Sequence, residues 1–512
     1  ITELLSTQGN LTDELQTRID NATSKLELED IYLPYRPRRR SPAAKARAAG
    51  LDAAAQAVLT QEITPTEALA DYQVQSSITD DSGNEIDVDF SDIDKQLAGV
   101  QAIIVDEWTQ ALGLLDNLRN GFAKTASIVS SVASEEKREV GEKFKDYFEH
   151  SESLARLPNH RLLAMLRGRQ ENVLGLKIEG EDAPFIEKII NHFDVDAKAP
   201  AARREFLTEA ASSLWKDKWR PHIEHRLLTE KRLAAEADAI DVFASNLQHL
   251  LMAAPAGSKV ILGVDPGIRH GVKMAIVDAQ GHVMSDSEEK PVIATVYPFA
   301  PDNKMDEAKK VIDELLSTYD VDLVAIGNGT ASRETDAMIK EILAANAALK
   351  AKAVIVNESG ASVYSASELA SDELANLDVS VRGAVSIARR LQDPLSELVK
   401  VDPKAIGVGQ YQHDVNQNQL ADSLDKVTQD SVNAVGVDVN TASPAILAHI
   451  AGLNRNVAQQ IVTYRREHGA FDSREALKNV PRLGAKTFEQ AAGFLRIRNG
   501  SNPLDATGVH PE

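Results

Sequence analysis

The sequence predicts a multidomain protein, mainly α-helical, with one α/β domain in its second half and tandem helix-hairpin-helix motifs near its C-terminus. Three observations carry that reading. At 512 residues the chain exceeds what one hydrophobic core organises. A set of continuous apolar runs, beginning at Lys259–Val264, interrupts an otherwise helical spacing of apolar residues. After Val437–Ser443 come two short helix-turn-helix patterns, with Gly452 and Gly484 in their turns.

Composition narrows the function classes. Hydrophobic content is 43% and charged content 26%, the balance of a globular protein in water. No apolar run approaches the roughly 18 residues that span a bilayer, and no signal-peptide pattern opens the chain, so a cytoplasmic protein without a membrane partner is expected. The absence of cysteine excludes disulfides, thiolate zinc sites and cysteine nucleophiles. Because the chain opens at Ile1 and stops at Val509-His510-Pro511-Glu512 without an evident terminal element, a fragment of a longer protein is expected.

Residues 1–255 read as a helical N-terminal region. Residues 1–60 are helical apart from Leu33–Pro42, where three prolines enforce an extended chain and four arginines with Tyr35 can clasp a phosphate backbone or form a solvated connector. Residues 61–100 hold ten acidic residues and one lysine, the composition of an exposed acidic loop, without the spacing of an EF-hand. From about 100 to 255 the spacing is mainly helical. Trp215 and Trp219, four residues apart, share a helix face and read as core. Lys143–His150 and Pro158–Arg161 are rich in polar and aromatic groups and read as a domain junction, with a binding edge or a metal pair as alternatives.

Residues 256–400 form the α/β domain. Pro255–Ser258 marks the change of pattern; strands are expected at Lys259–Val264, Gly271–Val277, Asp320–Gly327 and Lys352–Asn357, separated by helices. Asp265 ends the first strand and Glu358 the last. If those strands are parallel neighbours, both carboxylates project at one sheet edge, where open α/β sheets bind ligands, and form a candidate Mg²⁺ site for phosphodiester hydrolysis. Such chemistry needs a third acid, expected near Val381–Val385, and none stands there. Asp378 precedes that helix and Asp393 lies about three turns along it. Strand-end carboxylates capping the next turn are the alternative. Gly327–Glu334 matches neither the Walker nor the dinucleotide pattern, and is either a phosphate cradle at a helix N-terminus or a tight strand-to-helix turn.

Residues 401–436 read as a connector, and 437–500 as the hairpins. In the first, Ala445–Ile450 leads through Ala451-Gly452-Leu453 into Val457–Tyr464; in the second, Ala476–Val480 leads through Pro481–Lys486 into Thr487–Phe494. A glycine tolerates positive φ and lets a phosphate approach the main chain, while the following helix points its amides at that anion. Two ordinary glycine-capped hairpins are the plain alternative. Gly452, Arg455, Arg482, Gly484 and Lys486 are the candidate nucleic-acid-binding residues. Charge agrees: residues 441–500 hold nine Lys or Arg against four Asp or Glu, in a chain whose net charge is −21.

Several segments together, Leu28–Tyr35, Phe144–Phe148, Leu262–Gly267, Ile326–Thr335, Gly360–Glu368, Ile387–Pro394 and Gly407–Val415, resemble the Tex family of bacterial transcription accessory proteins. The resemblance implies a helix-turn-helix-like part within residues 1–255, a YqgF domain of RNase H-like fold at 256–400 and tandem helix-hairpin-helix motifs at 437–500. It further implies that residues 501–512 begin a connector to an RNA-binding OB-type barrel that is missing here, as are the family's first helices. Asp80–Asp94 and Asp286–Lys290 look like insertions in surface loops. Asp265 and Glu358 match two acidic positions of the related Holliday-junction resolvases, while the third falls at Arg382–Val385, which implies a degenerate nuclease.

The expected function is therefore a nucleic-acid-binding transcription accessory protein that grips RNA or DNA backbones without sequence preference, with no cofactor and a silent RNase H-like site. One alternative is a Mg²⁺-dependent structure-selective nuclease using Asp265 and Glu358, with Asp393 as a weak third ligand. Another is a protein-interaction scaffold on the transcription or translation machinery.

Overall fold

The computed structural model describes residues 2–7, 11–23, 25–32, 35, 41–61, 63–73, 89–195 and 199–512. Most of the arginine-proline segment Leu33–Pro42 and of the acidic stretch around Asp80 lies outside the described residues. The chain divides into two compact units, residues 1–235 and 236–512, so the division falls inside the region expected to run to 255.

In the first unit, α1 (Pro42–Ala48) packs on α2 (Ile93–Trp108). Gly99 makes this approach possible, since a Cβ there would lie 2.7 Å from Leu51 Cδ1 and 3.2 Å from Ala46 Cβ. Against the helical expectation, this unit contains an antiparallel sheet of β1 (Ser127–Val132), β2 (Glu149–Ser153) and β3 (Leu174–Glu179), in the order β2-β1-β3. The polar segment read as a junction supplies β2: His150 pairs with Ser130 across the ladder, and Arg161 reaches Glu152 at 3.1 Å. Trp215 and Trp219 lie in a π-helical turn, Leu214–Trp219, and both are core, as their spacing predicts. Trp215 stacks on Phe185 and donates Nε1–H to Asp182 at 2.7 Å. The turn continues into α3 (Arg220–Leu251).

The second unit is built on a five-stranded mixed sheet: β4 (Ile261–Asp265), β5 (Val272–Val277), β6 (Ile293–Val296), β7 (Leu323–Gly327) and β8 (Lys352–Val356), ordered β6-β5-β4-β7-β8. β4, β7 and β8 run parallel, while β5 is antiparallel to both of its neighbours, β4 and β6. Period-two alternation sends Leu262 and Val264 to one face, where α4 (Met305–Thr318) and α5 (Ser332–Ala345) cover them. It sends Ile261, Gly263 and Asp265 to the other, under α6 (Val379–Gln392). α6 crosses so close to β4 that a Cβ on Gly263 would overlap the Ala384 carbonyl.

The second face of the sheet belongs to a single core. That core takes in Phe243 and Leu247 of α3, the apolar side of α6, and Leu420, Leu424 and Val432 of α7 (Gln417–Val435), and continues through the hairpins to Ile497. The stretch 401–436 is thus largely a 19-residue amphipathic helix built into the core rather than a free connector. The hairpins comprise α8 (Pro444–Leu447), α9 (Arg455–His468), a 3₁₀ turn at Glu475–Asn479 and α10 (Ala485–Ala491). A two-residue parallel pair, β9 (Val437–Asp438) with β10 (Leu495–Arg496), ties their ends together.

Candidate functional site: two hairpin turns and a carboxylate pair

The two hairpins align residue by residue on their buried leucines, Leu453 and Leu483. In that register Gly452 corresponds to Arg482, and Asn454 to Gly484. Gly452 has φ +85° and Arg482 has φ +69°, so each turn has its left-handed residue at the same place. The expectation that Gly484 supplies positive φ is corrected: it has φ −75°, and a Cβ there would meet nothing within 4 Å. Gly484 is instead the N-cap of α10, where among the described residues no side chain accepts from the helix amides. At the matching position Asn454 caps α9, its Oδ1 accepting from the Val457 amide at 3.0 Å. The first turn is also wedged against α10, because a Cβ on Gly452 would lie 2.8 Å from Gln490 Cβ and 3.3 Å from the Thr487 carbonyl.

Arg455, Arg482 and Lys486 are all exposed, and among the described residues none has an ion-pair partner within reach. The nine basic residues of this region are not all available to a ligand. Arg465 donates to the carbonyls of Val439 and Ala442, and Arg496 to Gly493. Arg474, 2% exposed, donates to Leu495, Thr507 and Val509. Burial holds all three guanidiniums below their usual pKa range. They fasten main chain together. Residues 501–512, expected as a connector, are thereby packed onto the second hairpin, with the Arg474 amide also donating to Asp505 at 2.8 Å.

At the sheet edge the structure brings Asp265 and Glu358 together, although their strands are not neighbours: β7 lies between β4 and β8. Glu358 crosses the end of β7 because Gly327 and Gly329 have no side chains, and a Cβ on either would overlap its carboxylate. Burial pushes the Asp265 carboxyl up, with Lys273, opposite it in the ladder, pulling the other way. Burial and then the charge of Asp265 push Glu358 up, against the Gly329 amide and Arg390. Glu358 Oε2 is buried without a hydrogen-bond partner, and so are Nε and Nη2 of Arg390, itself 3% exposed.

The glycine loop after β7 is closed by Glu358 itself. The Gly329 amide favours the charged form of its carboxylate, and its own amide donates to Asn328 Oδ1 at 3.1 Å. Where a third acid was sought stands Gly383: a Cβ there would be 3.0 Å from Asp265 Oδ2. Arg382 turns away to the carbonyls of Leu377 and Ser365 and to Ser371 Oγ. Asp378 caps α6 through the Ser380 amide at 2.9 Å. Asp393 is not brought to the pair; it accepts from the Ser396 amide and hydroxyl at 3.0 and 2.6 Å, ten residues beyond Gly383, or about 15 Å of helix. Among the described residues no three His, Asp or Glu side chains converge as a metal-binding group.

Comparison with known proteins agrees with this architecture. A Tex protein YqgF-like domain profile matches residues 259–392, a Tex central region-like profile residues 65–243, and a helix-hairpin-helix motif profile residues 432–496. The chain is 47% identical to Protein tex of Bordetella pertussis, over all of this chain and 64% of that protein. It is 46% identical to the transcriptional accessory protein Tex of Neisseria gonorrhoeae, over 99% of this chain and 64% of that protein. It is 40% identical to the uncharacterized protein YdcI of Bacillus subtilis, over all of this chain and 69% of that protein. The chain thus spans just under two thirds of the first two relatives. A sheet edge with two acids, hairpins that share one core with it, and identity maintained from end to end place this chain in the Tex family of transcriptional accessory proteins.

Proposed function

We propose that this chain gives a transcription accessory protein a sequence-independent grip on nucleic-acid phosphates, and that its α/β domain is a catalytically silent scaffold. The observation that carries the reading is the second hairpin turn. Among the described residues, Arg482 and Lys486 stand exposed without an ion-pair partner beside the first amides of α10, which no side chain caps. Backbone amides with flanking cations are the ordinary means of holding a phosphate oxygen. Such contacts release counterions, so binding weakens steeply with salt.

Silence is supported by the sheet edge. Two-metal hydrolysis needs carboxylates enough to clamp two cations about 4 Å apart. Here two acids meet, Gly383 fills the place of a third, and Lys273 and Arg390 put fixed positive charge beside the pair. These residues do not fit a two-metal centre. The nuclease reading retains one observation in its favour, the convergence of Asp265 and Glu358.

Both readings are tested in one set of tubes: the protein with end-labelled single-stranded, duplex and branched DNA and RNA plus Mg²⁺, run on native and denaturing gels. The proposal expects a salt-sensitive shift without products, lost when Arg482 and Lys486 are replaced by glutamate. Unchanged binding by that double variant at low salt would sink the hairpin assignment. Products that vanish in Asp265→Asn would establish the nuclease.

A further inference from the structure

The end of α9 and Phe471 just beyond it carry three aromatic rings in a ladder that leads out of the core. Phe471 is 5% exposed, Tyr464 half-buried and His468 exposed. Tyr464 stacks on Phe471 with centroids 5.6 Å apart and planes at 15°, and on His468 at 4.1 Å and 12°. Surface histidines at helix ends are ordinarily free to rotate, but this one is held. Its Nδ1 is 3.1 Å from the Tyr464 carbonyl, a contact that requires the Nδ1–H tautomer or the imidazolium and fixes the ring parallel to the tyrosine. The inner end of the ladder is equally fixed. The Phe471 amide donates to Asn440 Oδ1 and its carbonyl accepts from Asn440 Nδ2, each at 2.8 Å.

Beyond His468 the chain leaves the ladder uncovered. Gly469 follows at φ +89°, and a Cβ there would meet nothing within 4 Å; Ala470 after it is exposed. Among the described residues no other ring packs on His468. The surroundings carry both signs of charge: Arg466 and Glu467 stand exposed in the same turn, Arg465 is tied to the carbonyls of Val439 and Ala442, and Arg498 pairs with Asp438. A rigid aromatic face, open on one side, lacks only a flat partner.

We propose that His468 is the outer tread of a stacking platform for one unpaired nucleobase, a subsite separate from the phosphate-gripping turns. The proposal rests on the nucleic-acid reading above and deepens it, since it assigns to this protein a preference for single-stranded or frayed strands. Stacking uses the base's face and not its hydrogen-bonding edge, so the subsite accepts any base, purines more tightly than pyrimidines because their rings cover more of the imidazole. A paired base inside a duplex has both faces already covered and cannot use it. DNA and RNA present the same face, and the two are separate arms of the test.

The experiment titrates the whole protein into single-stranded DNA and RNA 12-mers with a central 2-aminopurine, and into the corresponding duplexes, following fluorescence and anisotropy. Wild-type protein is expected to quench the single-stranded probes. His468→Ala should weaken single-strand binding by about five- to 150-fold, the range of one base–aromatic stack, and abolish the quench. His468→Trp should restore or exceed wild-type binding, and neither variant should change duplex affinity. Single strands bound equally by wild type and His468→Ala, the absence of single-strand binding, or an equal loss for duplex and single strand would each overturn the proposal. The hairpin reading fails by a different signature, which is duplex binding unaffected by the Arg482→Glu, Lys486→Glu double variant.

Discussion

In the first hairpin a glycine takes the left-handed position and an asparagine caps the next helix, whereas in the second an arginine takes the left-handed position and a glycine the cap. The main-chain path is shared, and the chemistry offered at the turn is not. Asn454 already satisfies the Val457 amide of α9, while α10 begins with no side chain in that role. The first turn is the better fastened, through Gly452 against Gln490 and through Asn433, which accepts from the Ala451 amide and donates to the His449 carbonyl. The second is the more open to an anion. The two turns thus differ in how firmly they are fastened and in what they leave exposed.

The sharpest way to break that comparison is to put the same side chain at both glycines. Gly452→Ala should destabilise the protein by about 2–4 kcal/mol in denaturant unfolding, since it combines a left-handed backbone with overpacking against Gln490. Gly484→Ala, in open space at φ −75°, should stay within about 0.5 kcal/mol. Equal losses would remove the distinction between anchor and contact. For binding the order reverses: Arg482→Glu should weaken duplex binding about tenfold and lower the salt slope by about one, as expected for losing one phosphate contact. Arg455→Glu, beside the capped helix, should cost about two- to threefold; a larger loss there would make the first turn the main grip.

The sheet edge offers a third kind of region, in which buried groups repel rather than fasten. Burial raises the Asp265 and Glu358 carboxyls, so the folded state holds their protons more tightly than the unfolded chain does. Each carboxyl therefore lowers stability as pH climbs from its unfolded pKa through its raised folded one. Asp265→Asn should stabilise the protein at neutral pH by on the order of 1 kcal/mol, with the gain vanishing below about pH 4, as read from unfolding curves across pH. A gain independent of pH would place its cause elsewhere. A comparably small effect is expected for Arg482→Gly. Relief of a left-handed arginine, about 1–2 kcal/mol, is offset by about 0.5–1 kcal/mol of added chain entropy, leaving a net gain of roughly 0.5 kcal/mol.

Much of this was legible in the sequence for identifiable reasons. The apolar runs at Lys259–Val264 and Asp320–Gly327 are long and bounded, and strands lie there. Asp265 and Glu358 were visible because a polar residue ending an apolar run marks a sheet edge, but the place of the Asp320–Gly327 strand between theirs was not, since order within a sheet leaves no local trace. β6 is only Ile293–Val296 at the edge of the sheet, too short for a periodic signal. The hairpin register was missed because glycine is the conspicuous residue in a turn. Aligning Ile450–Asn454 on Val480–Gly484 by their leucines would have shown Gly452 facing Arg482. Likewise the charge count could not tell Arg455, which is exposed, from Arg474, which is buried.

Arg474 also bears on how this protein can be cut into pieces. A fragment ending at residue 500, where the motif pattern stops, would strip away the carbonyls of Thr507 and Val509 and the carboxylate of Asp505. The guanidinium would then face a core with a single acceptor, the Leu495 carbonyl, and no neighbouring counter-charge from Asp505. The working boundary of the hairpin unit is therefore drawn by a clasp rather than by a helix end, and it falls beyond Val509.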